Sequence, residues 1–332
     1  MAQQGVLVTG GAGYIGSHVV RQLGEAGHRI VVLDNLSTGF KEAVLYGELI
    51  IGNSGDQTLV SRILKEHDIG AVLHFAANIV VPESVTDPMK YYGNNTCNTR
   101  NLLECCQKAG ISNFIFSSTA AVYGIPDELP ASEATPVSPI NPYGTSKLMS
   151  EWMLRDLAAA CELRYVILRY FNVAGANVEG QIGQSTPEAT HLIKVACEVA
   201  TGAREQVAIF GTDYPTADGT GVRDYIHVDD LASAHLKALD YLRNGGESTT
   251  LNCGYGSGFS VREVLDTVAK CHGSALNIVE KPRREGDPPA LIAAAAKIRE
   301  TLDWHPKHND LTLIAQTALD WEKKVQQKKK AQ

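Results

Sequence analysis

A glycine-rich turn near the N-terminus restricts the folds open to this 332-residue chain more than any other segment. The apolar run Val6-Leu7-Val8 leads into it, and glycines recur as Gly10-x-x-Gly13-x-x-Gly16, which also reads as Gly11-x-Gly13-x-x-Gly16. Glycines in such a turn permit a tight bend, bring backbone N–H groups against a diphosphate and let the next helix pack on the strand. The start of that helix carries a partial positive charge that favours an anion. The turn therefore predicts a strand–turn–helix unit that binds a dinucleotide.

The first half of the chain alternates short β-branched runs with segments of helical periodicity. The candidate strands are Gly5–Thr9, Arg29–Asp34, Glu48–Ile51, Ala71–Ala76, Asn113–Ser118 and Tyr165–Arg169. The candidate helices cover residues 15–26, 56–67, 91–109 and 143–161. This alternation builds βαβ units, whose right-handed crossovers give a parallel sheet covered by helices on both faces. We predict an α/β fold whose first domain is a doubly wound, parallel-sheet Rossmann domain.

The second half of the chain is less regular. Residues 177–188 and 211–222 are rich in Gly, Pro, Thr and Asp, which is typical of loops. Long ordered loops in a compact domain are often functional. Helical patterns return near residues 188–201, 229–243, 260–272 and 310–326.

This change of pattern places a domain boundary near residue 176. We predict a dinucleotide-binding Rossmann domain over residues 1–176 and a smaller C-terminal α/β substrate-binding domain over residues 177–328. The segment around 226–256 is expected to pack back on the first domain, and residues 329–332 to form a tail. Loops of the second domain would then close over a ligand held on the first.

The charge balance and the cysteines exclude several classes of protein. With 30 Lys+Arg against 37 Asp+Glu the net charge is -7, the opposite of the basic excess expected of a nucleic-acid-binding protein. No apolar stretch reaches the roughly 18 residues of a membrane span, and the N-terminus lacks a signal-peptide pattern. The seven cysteines include no C-x-x-C pair, which argues against a disulfide scaffold or a zinc site. We therefore predict a cytoplasmic protein with reduced thiols, without metal and without a membrane or nucleic-acid partner.

An acidic residue, Asp34, ends the second candidate strand, about 20 residues beyond the glycine-rich turn. At this place in a dinucleotide-binding fold a carboxylate accepts hydrogen bonds from the ribose hydroxyls. The residues that follow, Asn35-Leu36-Ser37, offer no arginine to pair with a 2′-phosphate. The sequence therefore predicts NAD rather than NADP as the cofactor.

A tyrosine and a lysine, Tyr143 and Lys147, are spaced i, i+4 in a candidate helix that begins after Pro142. A neighbouring ammonium favours a phenolate, so Lys147 is expected to lower the pKa of Tyr143 from about 10. Such a tyrosine can take the proton of an alcohol while a hydride leaves the same carbon for a nicotinamide. Upstream, an apolar strand ends in hydroxyl residues and brings Thr119 to the carboxyl edge of the sheet. Tyr143, Lys147 and Thr119 are the candidate catalytic residues.

These features together are similar to those of the extended short-chain dehydrogenase/reductases. More narrowly, the chain resembles the UDP-glucose 4-epimerase (UDP-galactose 4-epimerase) family over nearly its whole length. The matching stretches are TGGAGYIGSH (9–18), LDNLS (33–37), SSTAAVYG (117–124), NPYGTSK (141–147), LRYFNVAGA (168–176), IFGTDYPTADGTGVRDYIHV (209–228) and PRREGD (282–287). The resemblance implies C4 epimerisation of a UDP-hexose. Enzyme-held NAD+ would take a hydride from C4, the 4-keto sugar would turn over in the pocket, and the hydride would return to its other face.

The resemblance also implies roles for individual residues. Tyr143 would be the acid/base, Lys147 would tune it and bind the nicotinamide ribose, and Thr119 would assist at the hydroxyl. Besides Tyr143 and Lys147, the residues implied for NAD are Gly10, Gly13, Tyr14, Ile15, Gly16, Asp34, Asn35, Asn53, Phe75, Ala76, Asn94, Ser117 and Tyr170. Besides Thr119 and Tyr143, those implied for the UDP-sugar are Asn172, His191, Leu192, Phe210, Arg223, Arg284, Asp287 and Leu291. His74 and His227 are expected to be structural.

Some positions depart from the family pattern. Ile79 stands where many members have a lysine that reaches the cofactor, and Asn53 where an acidic residue often meets the adenine. Leu291 replaces a bulky tyrosine of glucose-restricted members, and His191 occupies a position that is often asparagine. Leucine is intermediate between that tyrosine and the small residues of members that admit an acetamido group. We therefore expect UDP-glucose and UDP-galactose as the main pair, with some turnover of UDP-GlcNAc and UDP-GalNAc.

Other activities remain open on the same fold. The alternatives are a nucleotide-sugar 4,6-dehydratase and another NDP-sugar epimerase; elimination needs a further acid/base pair beside the catalytic hydroxyl, yet Ala120-Ala121 follow Thr119. A dehydrogenase with net turnover would consume added NAD, and an NAD-sensing protein would not need Tyr143 and Lys147. Members of the family usually form homodimers through a helix pair, for which the helices near 91–109 and 143–161 are the candidates.

Overall fold

The structure, a computed structural model, describes residues 4–284 and 287–330. Its strands are β1 (Gly5–Thr9), β2 (Ile30–Asp34), β3 (Glu48–Ile51), β4 (Ile69–His74), β5 (Asn113–Thr119), β6 (Arg164–Tyr170), β7 (Asn172–Ala174), β8 (Val207–Phe210), β9 (Val222–Arg223), β10 (Tyr225–His227), β11 (Thr249–Cys253), β12 (Phe259–Ser260), β13 (Ile278–Lys281) and β14 (Ala290–Leu291). Its α-helices are α1 (Tyr14–Glu25), α2 (Gln57–Glu66), α3 (Val81–Thr86), α4 (Pro88–Tyr91), α5 (Asn98–Ala109), α6 (Pro142–Ala160), α7 (Leu192–Ala200), α8 (Val228–Arg243), α9 (Val261–His272), α10 (Ala296–Leu302) and α11 (Leu311–Lys330).

Seven strands form one parallel sheet in the order β11-β6-β5-β4-β1-β2-β3. Alternate side chains of a strand enter two different cores, so that Val6 and Val8 pack in the core with α1 and α8, and Leu7 in the core with α2, α5 and α6. Burial on both faces explains why the strands are almost continuously apolar. The order reverses between β1 and β4, where ligands bind in open α/β sheets. The predicted α/β class with a doubly wound Rossmann sheet is confirmed.

All six predicted strands are present, but the strand near Ala71–Ala76 ends earlier than expected, at His74. The N–H groups of Phe75 and Ala76 both donate to the Thr9 carbonyl, at 2.9 and 3.1 Å. This shared acceptor turns the chain out of the ladder beside the glycine-rich turn. The chain after β4 is therefore a loop at the site edge rather than a strand.

The single helix predicted over 91–109 is wrong in its first part, because a π-helical turn, Tyr92–Cys97, separates α4 from α5. The turn directs the buried Asn95 side chain into the gap between the loop after β4 and α6. Its Oδ1 accepts from the Asn78 N–H at 2.8 Å, and its Nδ2 donates to the Asn78 carbonyl at 2.9 Å and to Ser146 Oγ at 3.1 Å. Such single π turns are frequent at functional sites.

The second unit is smaller and is built from short elements. Strands β8 and β13 pair in parallel, β12-β9-β14 form a three-stranded sheet, and α7, α9 and α11 pack together. Between these parts the chain returns to the large sheet, where α8 packs on α1 and β11 adds the edge strand beside β6. The helix predicted over 188–201 starts only at Leu192. The boundary near residue 176 stays a prediction, since the chain crosses between the two units more than once.

Neither a membrane-spanning helix nor a metal-binding cluster is found in residues 4–284 and 287–330. No helix there is long and apolar enough to cross a membrane. In the same ranges no group of three or more His, Cys, Asp or Glu side chains is placed to hold a metal ion.

Candidate active site

The glycine-rich turn joins β1 to α1 at the carboxyl edge of the large sheet. Gly10 has a φ of +74°, and a Cβ there would lie 2.6 Å from the backbone nitrogen of Ala76. A Cβ at Gly16 would overlap the carbonyl of Gly10. Helix α1 starts at Tyr14, and its N-cap Gly13 makes no side-chain cap. The first N–H groups of α1 have no intrahelical partner, so the turn fits a diphosphate.

Asp34 is held beside this turn by two backbone donors. Its Oδ2 accepts from the Ala12 N–H at 2.9 Å and its Oδ1 from the Leu36 N–H at 2.8 Å. The carboxylate therefore has a fixed place at the end of β2, where ribose hydroxyls bind in this kind of fold. The next side chain, Asn35, is exposed and accepts from the Ser37 N–H at 3.0 Å. The residues present fit NAD.

The side chains of other residues implied for NAD are bonded to groups of the protein itself. The Tyr14 hydroxyl donates to the Gly175 carbonyl at 2.6 Å, and the Tyr170 hydroxyl lies 2.9 Å from His235 Nε2. The His235 ring is also 4.8 Å from the Phe75 ring. These aromatic side chains support the site through contacts within the protein.

Asn53 and Asn94, two further members of the NAD set, lie in the loop after β3 and in the π turn before α5. Asn53 Oδ1 accepts from the Gly55 N–H at 2.7 Å, and Asn94 Oδ1 accepts from Asn98 Nδ2 at 3.1 Å. Ile79, where the family often has a lysine, is exposed in the loop after β4. Its side chain gives this loop an apolar surface in place of a cation.

The structure brings the three candidate catalytic residues together at the end of β5. Lys147 is buried, and its Nζ donates to the Ser117 carbonyl at 2.7 Å. Tyr143 lies one turn earlier on α6, close enough to the Thr119 hydroxyl for that hydroxyl to affect its pKa. A substrate hydroxyl placed beside Tyr143 and Thr119 could pass its proton into this pair.

The electrostatics of the pair differ in part from expectation. Burial raises the pKa of Tyr143, and the neighbouring Thr119 hydroxyl acts in the opposite direction. The net shift is therefore opposite to the lowering expected from Lys147, because desolvation dominates in the chain by itself. Burial also lowers the pKa of Lys147 to about 7, while the Glu151 carboxylate opposes that shift. Lys147 can thus gain or lose a proton near neutral pH.

The residues implied for UDP form two contacts in the smaller unit. The Arg284 guanidinium carbon lies 3.7 Å from the centre of the Phe210 ring. Arg223 on β9 forms an ion pair with Asp287 and lies in register with Leu291 of β14. Two arginines offer planar sets of donors that suit a diphosphate, and an aromatic face suits a base.

A third group connects these contacts to the catalytic end of β5. Asn172, His191 and Leu192 line one recess, together with Trp321 of α11. Leu291 is buried in a cluster with Ala120 and Phe171, the chain neighbours of Thr119 and Asn172, among other apolar residues. Strand β14 is therefore packed directly against the catalytic segment.

Four residues of this region were not found from the sequence. Asn95 was missed because a π turn directs it, and Arg169 because it reads as part of an apolar strand. Glu151 could have been identified from the sequence, since it follows Lys147 by four residues on the same helix. The Tyr214 hydroxyl is buried and, among the described residues, has no hydrogen-bond partner. Its membership of the stretch 209–228 was the available clue.

Known proteins are similar to this chain in sequence and in fold. The model for the "NAD dependent epimerase/dehydratase family" matches residues 6–254. A UDP-glucose 4-epimerase of Azospirillum brasilense is 56% identical over 323 residues, which cover 97% of this chain and 93% of that protein. The crystal structure of UDP-glucose 4-epimerase from Brucella ovis in complex with NAD is 44% identical, with a TM-score of 0.93 over 96% of this chain and 98% of that chain.

A second solved structure bears on the range of sugars. The UDP-Glc/GlcNAc 4-epimerase from Campylobacter jejuni is 50% identical, with a TM-score of 0.85 over 97% of this chain and 100% of that chain. Family match, near full-length identity and fold therefore agree with the geometry of the site. The chain belongs to the NAD dependent epimerase/dehydratase family and, within it, to the UDP-glucose 4-epimerases.

Proposed function

We propose that this chain is an NAD-dependent enzyme that interconverts UDP-galactose and UDP-glucose by inverting C4 through a 4-keto intermediate. The observation that carries this proposal is the convergence of Tyr143, Lys147 and Thr119 at the end of β5, beside a turn that fits a dinucleotide. NAD, when bound, would supply the acceptor and donor of the C4 hydride, so the reaction would have no net oxidation.

The chain's own residues handle the proton and the substrate. Tyr143 takes the proton of the C4 hydroxyl and returns it to the ketone oxygen, and Thr119 orients that oxygen. Lys147 holds the nicotinamide ribose and supplies positive charge near the phenol. Arg223 and Arg284 bind the diphosphate.

Asp287 and Phe210 complete the nucleotide site. Asp287 accepts from the uridine ribose once Arg223 turns to the diphosphate, and Phe210 packs on the uracil. The ion pair between Arg223 and Asp287 supports this assignment, because it keeps both side chains at the same place with matched charge.

The direct experiment is incubation of the purified protein with UDP-galactose and without added reductant. Proton NMR of the anomeric signals should report UDP-glucose until an equilibrium mixture is reached, with no change of absorbance from reduced cofactor. Accumulation of reduced cofactor would identify a dehydrogenase, and a 4-keto-6-deoxy sugar a dehydratase; either product contradicts the proposal. The dehydratase is not favoured, because Ala120, next to Thr119, is buried against Leu291 and supplies no acid or base.

We further propose that UDP-GlcNAc and UDP-GalNAc are turned over more slowly than the glucose pair, and that Leu291 sets this ratio. Leu291→Tyr should lower kcat/KM for UDP-GalNAc by about tenfold and change that for UDP-galactose little, since overfilling a packed site costs about 1–3 kcal/mol. Leu291→Ala should instead raise the ratio of kcat/KM for UDP-GalNAc to kcat/KM for UDP-galactose. Steady-state kinetics on both sugars measure it, with Leu291→Met as a control of similar volume. Equal losses on both substrates would show that Leu291 does not select the sugar.

We also propose a homodimer through α3–α6. Apolar side chains exposed there include Met89 at 73%, Val85 at 62% and Trp152 at 49%. Large apolar residues exposed on neighbouring helices mark an interaction surface. Trp152→Asp should convert a species of twice the chain mass into monomer in sedimentation velocity. Ile278→Asp, an exposed position on β13, is the matched control and should stay dimeric, whereas an unchanged Trp152→Asp dimer would exclude this surface.

We assign the protein to the cytoplasm, with a UDP-hexose as its small-molecule partner. All seven cysteines are free thiols, at positions 97, 105, 106, 161, 197, 253 and 271. Free thiols in this number are typical of a reducing compartment.

A further inference from the structure

Helix α6 carries a buried carboxylate in line with the candidate catalytic pair. Tyr143, Lys147 and Glu151 follow one another at four-residue spacing, so they lie along one face of the helix. The side chain of Glu151 is 0% exposed. A carboxylate removed from water is costly unless it is paired and hydrogen-bonded. Its partners therefore indicate what it does.

Glu151 bonds to two neighbouring strands of the sheet. Its Oε1 accepts from Ser118 Oγ at 2.5 Å and from Arg169 Nε at 2.9 Å, and its Oε2 accepts from Arg169 Nη2 at 2.6 Å. Arg155 approaches Oε2 from the same helix at 3.3 Å. Arg169 in turn donates to the Tyr123 hydroxyl at 3.1 Å. The two-pronged ion pair fixes the plane of the carboxylate.

The contact with Ser118 reaches the catalytic segment directly. Ser118 stands between Ser117, whose carbonyl accepts from Lys147, and Thr119, whose hydroxyl lies beside Tyr143 and lowers its pKa. We propose that Glu151 is a positioning residue of this site: it holds the end of β5 through Ser118 and sets the balance of charge around Lys147. The inference rests on the proposed function, in which Lys147 acts as a cation.

The charged and titratable groups around Lys147 and its carboxylate come from several elements. They are Tyr143, Glu151 and Arg155 on α6, His74 on β4, Arg169 and Tyr170 on β6, and Tyr123 in the turn after β5. Burial and the charge of Lys147 lower the pKa of His74 to about 3, so His74 is neutral. Glu151 is thus the anion that favours the Lys147 ammonium, and the paired arginines limit its effect.

Two substitutions test this arrangement because they should act in opposite directions. Glu151→Gln keeps the shape of the side chain but removes the negative charge that pairs with Arg169. Lys147 should then lose its proton more readily, so the alkaline limb of the kcat–pH profile should move to lower pH by roughly one unit. Arg169→Gln frees the carboxylate to act on Lys147, and the limb should move up. Glu151→Asp retains the charge and should restore a limb close to that of the unchanged protein.

A second readout does not need turnover. Carbon-13 NMR of lysine Cε in the labelled holoenzyme, with Lys147→Arg for assignment, follows the titration of Lys147 itself. The midpoint should fall in Glu151→Gln and rise in Arg169→Gln. If the unchanged protein shows no epimerisation, the proposed function fails while this titration still decides the role of Glu151.

Two kinds of result would contradict the role proposed for Glu151. Shifts of the same sign in both variants, or a loss of stability with unchanged titration, would make Glu151 a structural residue only and overturn the inference. If Glu151→Gln does not fold, Arg169→Gln decides alone: the inference requires its midpoint to rise. Generic destabilisation cannot give shifts of opposite sign.

Discussion

Replacing Tyr143 with phenylalanine is expected to lower kcat for UDP-galactose epimerisation by about 10³-fold, within the usual range for loss of a general acid/base. In the proposed reaction the phenol exchanges the C4 proton, and the Thr119 hydroxyl is the neighbouring group that lowers its pKa. The ring itself should stay in place, because it packs edge-on against Tyr91 with ring centres 6.5 Å apart. NAD content, measured after denaturation, should therefore be unchanged.

Tyr91→Phe is the matched control for this experiment. Its hydroxyl donates to the Val80 carbonyl at 2.6 Å and to Glu83 at 2.9 Å, so its hydrogen bonds are to groups other than the catalytic residues. Removing it should affect stability and leave kcat nearly unchanged. A Tyr143→Phe enzyme that keeps more than about a tenth of its kcat would refute the assignment of Tyr143 as the base.

The parts of the site that were predictable are those encoded by short segments. The approach of Gly10 to Ala76 and the position of Asp34 at the end of β2 follow from one strand–turn–helix unit. The i, i+4 spacing of Tyr143 and Lys147 likewise requires only that α6 is a helix. In each case local geometry leaves one arrangement for residues close in the chain.

The parts that were not predictable depend on tertiary contacts. Spacing alone suggested that Lys147 acts on Tyr143, but the fold buries both and directs Lys147 to the Ser117 carbonyl. The pairing of Arg223 with Asp287 joins residues 64 positions apart. Periodicity also could not show the π turn, because one extra residue in a turn changes which side chains face inward.

Four buried histidines give the second large expected effect, a loss of stability in mild acid. They lie on α1, β4, β10 and α8: His18, His74, His227 and His235. Burial lowers the pKa of His18 and His235 to about 4 and that of His74 to about 3, and it lowers that of His227 as well. Their side chains are neutral in the folded protein at pH 6, whereas in the unfolded chain they titrate near 6.5.

The hydrogen bonds of His74 show why the folded state resists the proton. Thr99 Oγ1 donates to the Asn95 carbonyl at 2.6 Å, so it accepts from His74 Nε2, 2.8 Å away. His74 Nδ1 is then the acceptor for the Thr9 hydroxyl at 2.6 Å. A proton added at Nδ1 would remove this acceptor and place a charge in the apolar core between β1 and α5.

The sign of the pH dependence follows directly. Each of these histidines has a folded pKa below its unfolded value, so below pH 6.5 the unfolded chain binds more protons and stability falls as pH falls, until the folded pKa is reached. With up to about four protons taken up on unfolding, the free energy of unfolding should drop by up to roughly 5 kcal/mol between pH 6 and pH 5. That is comparable to the whole stability of many domains, about 5–15 kcal/mol.

Urea unfolding at fixed protein concentration and fixed excess of NAD, from pH 7.5 to 5, measures this slope, because ligand and subunit binding both shift apparent stability. His235→Gln should reduce the slope by nearly one proton. His305→Gln is the control for replacing a histidine outside the core, since the His305 side chain is 80% exposed. A slope below about one proton between pH 6 and pH 5 would mean that the histidines are protonated within the folded core. In His74, Nδ1 would then donate to the Thr9 hydroxyl oxygen, while Nε2 would still donate to Thr99.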